Sequence, residues 1–167
     1  MNVDQVEKKI TKKTKAIVPV HFTGYMTNMI KLNKIAKKYK LPIVEDACQS
    51  ILASINKKNA GTWGNFGAFS LHPLKNINVW SDGGVITTNN YSDYKKLKLL
   101  RNHGLSDRDT VKICGYNSRL DTFQAVVGNW LLPSAKKIAF NRIKTANYLD
   151  THLKKIKEIT IPPRIIN

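Results

Sequence analysis

The hydrophobic pattern opens with a short β-rich run at residues 16–20 (AIVPV). Residues 26–39 follow with Met26, Met29, Ile30, Ile35, Ala36 and Tyr39 at the spacing of one helical face. Leu41-Pro42-Ile43-Val44-Glu45-Asp46 is then a buried-strand pattern that closes on two acids. Strand, helix and strand over about 30 residues make a βαβ unit, which implies parallel strands covered on at least one face. Residues 66–71 (FGAFSL) and 84–88 (GVITT) predict two further strands, with a loop of unusual composition at 72–83 between them. Residues 91–101 predict a helix. The character changes after Gly104, with a polar, turn-rich stretch at 105–118. Helices are expected from Asp121 to about Leu132 and from Ser134 to about Lys157. The second keeps Ala135, Ile138, Ala139, Ile143, Ala146, Leu149, Leu153 and Ile156 on one apolar face, and Pro162-Pro163 is its expected stop. The pattern is that of an α/β protein with a helical carboxyl-terminal part.

Composition narrows the class. With 167 residues, 42% of them hydrophobic, the chain fits one domain with a real core. That excludes a peptide hormone, a disulfide-stapled mini-protein and a chain disordered throughout. Its apolar runs of about five or six residues fall far short of the ~20 a membrane span needs. No secretory signal is visible at the start. Cys48 and Cys114 stand alone, without CxxC or metal-ligand spacing, and suit a reducing compartment, so a cytoplasmic address is expected.

The net charge of +17 admits a polyanionic partner. Its 23 Lys against 5 Arg speak the other way, because Arg is the side chain that grips phosphate and guanine bidentately. The lysines are also dispersed, mostly in pairs on helix faces. Nucleic acid is therefore not the expected partner, and salt-dependent DNA binding that survived Lys75→Ala would reverse that reading.

Three features carry candidate chemistry. Asp46 ends a parallel strand, and ligands of open α/β sheets bind outside the carboxyl ends of strands. Lys75 lies in the loop just past another strand's carboxyl end. Asp82-Gly83-Gly84 then allows a tight turn that exposes backbone. An acid and a lysine projected into one crevice suit a carbonyl-bearing cofactor: the amine condenses with an aldehyde and the carboxylate stabilises a protonated ring nitrogen. The plainer alternative is a surface salt bridge and a solvated loop lysine. His21, His72 and His103 are scattered without ligand spacing and read as core or loop histidines; His72, three residues from Lys75, is the best exception. Trp63 and Trp80 flank the candidate site and are expected to pack.

Several strings, in order, carry a resemblance: Val20-His21-Phe22-Thr23-Gly24, Ile43-Val44-Glu45-Asp46-Ala47-Cys48-Gln49, Phe69-Ser70-Leu71-His72-Pro73-Leu74-Lys75-Asn76 and Asp82-Gly83-Gly84. Arg101-Asn102-His103-Gly104, Gly115-Tyr116-Asn117-Ser118-Arg119-Leu120-Asp121 and Gln124-Ala125 continue it over essentially the whole chain. Together they resemble the DegT/StrS family of pyridoxal-phosphate (PLP) sugar aminotransferases, of fold type I. The resemblance implies the central part of a large domain with a mostly parallel sheet flanked by helices (1–104), then a connecting loop and helices leading into a small carboxyl-terminal domain (105–167). It implies that Lys75 holds PLP as a Schiff base and afterwards moves the proton at the reacting carbon. Asp46 would pair with the pyridinium nitrogen. Gln49 would lie beside the ring near its phenolic oxygen, Ser70 would donate to the phosphate, and Asn117 would reach the phosphate of the partner subunit in a homodimer. The plainer readings are that Ser70 ends a strand, Gln49 caps a helix, and Asn117 is a turn residue.

The family's sugar dehydratases carry histidine where Lys75 stands, so the lysine implies transamination. The expected reaction moves an amino group, with glutamate as donor, to a keto group of a nucleotide-linked sugar in cell-surface polysaccharide biosynthesis. Cys48 falls where the family often has Ala, Ser81 where it usually has Gly, and Asn65 where Asp is common. Against family members of roughly twice the length, the bare start and the abrupt end (RIIN) predict a chain cut at both ends. On that expectation it lacks the phosphate-cradling loop and is inactive alone. The alternative is a non-catalytic or complementing partner of a separate chain.

Overall fold

The computed structural model describes residues 1–163. The expected tail at 164–167 lies outside the described residues. A 3-10 turn at Val3–Gln5 and a single helical turn, α1 (Val6–Lys9), precede the first extended segment. Asp4 pairs with Lys31, and Glu7 with Lys38 and the Tyr39 hydroxyl, which lashes this start along α2 (Met29–Tyr39). The hydrogen bonds from Lys38 and then Tyr39 hold the Glu7 carboxyl below its ordinary range.

Helix α2 begins three residues later than the periodicity suggested, because Asn28 caps it and accepts the Lys31 N–H at 3.0 Å. Met29, Leu32, Ile35 and Ala36, at helical spacing, are its buried face. The helix stops at Lys40, which turns left-handed (φ 53°). With Val3, Ile17 and Ile43 that face forms one core cluster, and Trp63 packs against it.

The 16–20 run pairs with the next strand only through isolated parallel bridges, Ile17 to Ile43 and Val20 to Asp46. Proline explains why it is not a continuous strand. Ile17 and His21 donate to Pro42 and Asp46 carbonyls, and Val44 and Asp46 donate to Ile17 and Pro19 carbonyls. Pro19, between them, has no N–H to complete the ladder. Regular pairing begins at β1 (Val44–Asp46), which runs parallel to β4 (Phe66–Ser70). β4 pairs antiparallel with β5 (Gly84–Thr88), so an antiparallel edge strand completes an otherwise parallel sheet in the order β1-β4-β5. A small hairpin, β2 (Ser54–Ile55) and β3 (Lys58–Asn59), is not anticipated by the hydrophobic pattern. Its two-residue turn, Asn56 and Lys57, has positive φ at both positions, and the Asn is its only sequence signal.

Register divides the sheet into two faces. Glu45, Gly67 and Thr87 lie side by side on one, and Asp46, Ala68 and Ile86 on the other. The turn at Gly61 lies against the first: a Cβ on Gly67 would sit 2.4 Å from the Gly61 Cα, and Thr87 Oγ1 donates to the Gly61 carbonyl at 2.5 Å.

Helix α3 (Tyr91–Leu100) is capped by Asn90. Residues 105–118 are irregular as expected, with antiparallel bridges Asn102 to Asn117 and Leu105 to Val111. Asp121 and Gln124 form a capping box that starts α4 (Thr122–Leu131). Pro133 sits in a 3-10 turn between α4 and α5 (Ala135–Leu153). Helix α5 ends at Leu153, four residues short of expectation and well before Pro162, so the prolines are not what stops it. Its apolar stripe finds few partners: Ala135 and Ile138 join Leu71, Ile77, Val79 and Leu120 in a second cluster, whereas Ile143 and Leu149 are exposed.

Candidate active site

The second face of the sheet carries Asp46 and Ser70 at the carboxyl ends of β1 and β4. Asp46 closes β1, with its backbone fixed by Pro19 and His21 on one side and by register with Ala68 on the other. Its Oδ1 accepts the Cys48 N–H at 3.1 Å. Ser70 closes β4 on the same face as Ala68. Ser70 Oγ accepts the His72 N–H at 3.2 Å, which leaves its own proton to donate elsewhere. From there the chain leaves the sheet. Lys75 N–H returns to the His72 carbonyl at 2.8 Å, and Leu74 N–H donates to His72 Nδ1 at 3.2 Å. His72 therefore holds the loop that carries Lys75, as expected of a loop histidine.

Cys48 feels the charge of both the acid and the lysine. Burial first, then the hydrogen bond and charge of the Asp46 carboxylate, push its thiol up, while the Lys75 ammonium pulls it down. Both charges thus act on one half-buried thiol, whose Sγ also reaches the Ala68 carbonyl. Among the described residues the Lys75 ammonium has no hydrogen bond or ion pair to a protein group. The loop is closed by Leu71 N–H on the Gly83 carbonyl and by Gln124 Nε2 on the Asp82 carbonyl, which ties the Asp-Gly-Gly turn to α4. Gly83 is required there, since a Cβ would stand 2.8 Å from Val79 and 2.9 Å from Leu120.

Gln49 follows at the surface, where its Oε1 accepts the Thr23 N–H at 2.7 Å. Asn117 is exposed on the irregular segment before α4, with its Oδ1 accepting from Arg119 Nε at 3.2 Å. Trp63 is half-buried as expected. Trp80 is not: it is 67% exposed, takes a positive φ of 65°, and leans on an equally exposed Phe123.

The most completely bonded side chain of the region is one that the sequence motifs did not single out. Glu45 is 0% exposed, with Oε1 accepting from Trp63 N (2.6 Å) and Gly64 N (2.7 Å) and Oε2 accepting from Gly61 N (2.9 Å) and His21 Nε2 (2.9 Å). Burial alone raises a carboxyl, but the bonds from His21, Gly64, Gly61 and Trp63 outweigh it and hold Glu45 below its ordinary value of 4.5. Ile43, Glu45 and Ala47 share one face, and all three are buried. His21 is likewise fully buried, a core histidine as expected. No group of three or more metal-ligating side chains occurs among the described residues.

The sequence matches the pattern of the DegT/DnrJ/EryC1/StrS aminotransferases over residues 1–165. The chain belongs to that family. Among its relatives, the "Pleiotropic regulatory protein" of Geobacillus stearothermophilus is 36% identical over 99% of this chain and 45% of its own length. The UDP-N-acetyl-3-dehydro-alpha-D-glucosamine 3-aminotransferase of Acidithiobacillus ferrooxidans is 37% identical over 92% of this chain and 42% of its own. The solved GDP-4-keto-6-deoxy-D-mannose-3-dehydratase of E. coli, with hydrated PLP bound, superposes with a TM-score of 0.84 at 26% identity, over 93% of this chain and 45% of that one. The fold is that of the fold-type-I aminotransferases, and family members use PLP. This chain spans less than half the length of the relatives it matches. No helix among the described residues is long and apolar enough to cross a membrane.

The site's donor set fits PLP. An acid, an amine without a protein partner and a hydroxyl with a free proton stand at or just beyond the carboxyl ends of β1 and β4.

Proposed function

We propose that this chain carries the lysine-bearing part of a PLP-dependent aminotransferase, moving an amino group from glutamate to a keto group of a nucleotide-linked sugar. The observation that supports the reading is the placement of the Asp46 carboxylate at the end of β1 and of the unpartnered Lys75 ammonium in the loop that follows the adjacent strand β4. When bound, PLP supplies an electrophilic carbonyl and a ring that takes up electrons.

The residues of this chain do the rest. Asp46 holds a proton on the ring nitrogen by its negative charge. The Lys75 amine anchors the carbonyl end and carries a proton to and from the reacting carbon. Ser70 donates its hydroxyl proton to the phosphate, and Gln49 offers its amide N–H to the phenolic oxygen. Asn117 serves the phosphate of a second subunit, which makes the working assembly a homodimer. Residues 1–104 form part of the cofactor-binding domain, and residues from 105 onward lead into the smaller one. The setting is cytoplasmic, amino-sugar assembly for cell-surface polysaccharide.

An absorbance titration with PLP tests this, run on the unaltered chain, Lys75→Ala and Asp46→Asn. A saturable band that Lys75→Ala abolishes and Asp46→Asn shifts is expected. Equal, unsaturable modification of the unaltered chain and Lys75→Ala would overturn it.

A further inference from the structure

We propose that the buried Glu45–His21 pair is positioning machinery for Gln49, fixing its amide so that the site meets an N–H donor and never the carbonyl. The proposal rests on the reading that Gln49 faces the cofactor, and it reaches that residue through a chain of contacts.

Gln49 Oε1 is already committed, because the Thr23 N–H occupies it at 2.7 Å. With Oε1 turned toward Thr23, the Nε2 group is the amide's donor for a ligand, and it suits an oxygen carrying negative charge on an aromatic ring. Thr23 makes this contact from a left-handed conformation (φ 55°), followed by Gly24 at φ 86°. An L-residue holds such a backbone only when its surroundings enforce it. His21 enforces it from both sides. Its backbone N–H donates to the Asp46 carbonyl at 3.0 Å, and its Nδ1 accepts the Thr27 N–H at 3.2 Å. Thr27 Oγ1 adds a bond to the Val20 carbonyl at 3.3 Å. The imidazole ring thus closes the turn from 21 to 27 at its far end, beyond the backbone bonds from Gly24 N–H to the His21 carbonyl (3.3 Å) and from Tyr25 N–H to the Phe22 carbonyl (2.9 Å).

Glu45 decides which way that ring works. Nδ1 can accept from Thr27 only when the ring proton sits on Nε2, and Nε2 faces Glu45 Oε2 at 2.9 Å. An anionic Glu45 selects this tautomer. Without it the proton is free to move to Nδ1, where it would point at the Thr27 N–H and open the turn. Glu45 and His21 touch neither substrate nor cofactor; they act through Thr23 on Gln49.

Amide hydrogen exchange on the cofactor-free chain is the first test. Thr23 and Thr27 amides are expected to exchange together, as one opening event. Thr23 exchanging at the rate of a free amide while Thr27 stays protected would overturn the proposal. The second test is His21→Gln, whose amide N–H still reaches Glu45 but whose carbonyl oxygen, one bond further along the side chain than Nδ1, is displaced from the Thr27 N–H. Expected are a folded chain, lost protection at both threonines, and PLP affinity lower by about tenfold. A folded His21→Gln with unchanged Thr23 protection would also overturn it. If His21→Gln fails to fold, the exchange comparison on the unaltered chain still decides. If the unaltered chain binds no PLP, the proposed function falls, whereas the exchange result judges the positioning role by itself.

Discussion

Replacing Glu45 by Gln changes one oxygen to an amide nitrogen at constant shape, and the four bonds around the carboxylate set the cost. Each carboxylate oxygen accepts two bonds: Trp63 and Gly64 N–H on Oε1, Gly61 N–H and His21 Nε2–H on Oε2. Whichever way the amide sits, two donors face an NH2 group. If the nitrogen takes the Oε1 position, two backbone N–H groups are orphaned. If it takes the other, Gly61 is orphaned, and His21 can rescue its own contact only by moving its proton to Nδ1, at the expense of Thr27. A buried donor left unsatisfied costs about 1–3 kcal/mol. Two of them, in a site where breaking a buried pair costs about 3–5 kcal/mol, give an expected loss of about 3 kcal/mol. For a chain of this size that is a fall in Tm of roughly 10 °C. Urea unfolding at pH 7 measures it, and a loss below about 1 kcal/mol would refute the reasoning. The pH dependence has its origin in the same bonds. Because the folded-state value of Glu45 lies below its ordinary 4.5, its contribution is complete above that pH and fades as pH falls through the folded value. The gap between the unaltered chain and Glu45→Gln should therefore be constant near neutrality and close only on acidification below about pH 4.5.

Two further substitutions probe the backbone. Lys40→Gly relieves a left-handed residue at the exposed end of α2 and should raise stability by up to about 1 kcal/mol, read as a higher urea midpoint; a lower midpoint would contradict it. Gly67→Ala forces a methyl to 2.4 Å from the Gly61 Cα and carbonyl oxygen and 2.6 Å from Thr87 Oγ1, so it should lose about 1–3 kcal/mol or more. Thermal unfolding checks it, and an unchanged Tm would mean the Gly61 turn yields freely.

Most elements were legible because hydrophobic period and turn residues agreed: α2, β4, β5, α3 and α4 lie within a few residues of expectation. The differences have local causes. Asn28 caps before Met29, Pro19 interrupts a ladder that its apolar neighbours suggested, and α5 ends at Leu153, where much of its stripe is exposed. Asp46 and Lys75 stood out as candidates because they lie at or just past the carboxyl ends of strands, while their roles came from the family resemblance. Glu45 could not be singled out in the same way. Its partners come from residues 21, 61, 63 and 64, and the backbone N–H groups that satisfy it leave no trace in side-chain identity. Thr23 was invisible for a related reason, because its contribution is a backbone N–H set by φ rather than by its hydroxyl.

Whether Lys75 is the cofactor lysine is decided by borohydride reduction of the PLP-treated chain and mapping of the labelled peptide. Stoichiometric label on Lys75 is the expected result. Label spread over the 23 lysines, or concentrated on any other, would contradict the assignment of this loop as the cofactor site.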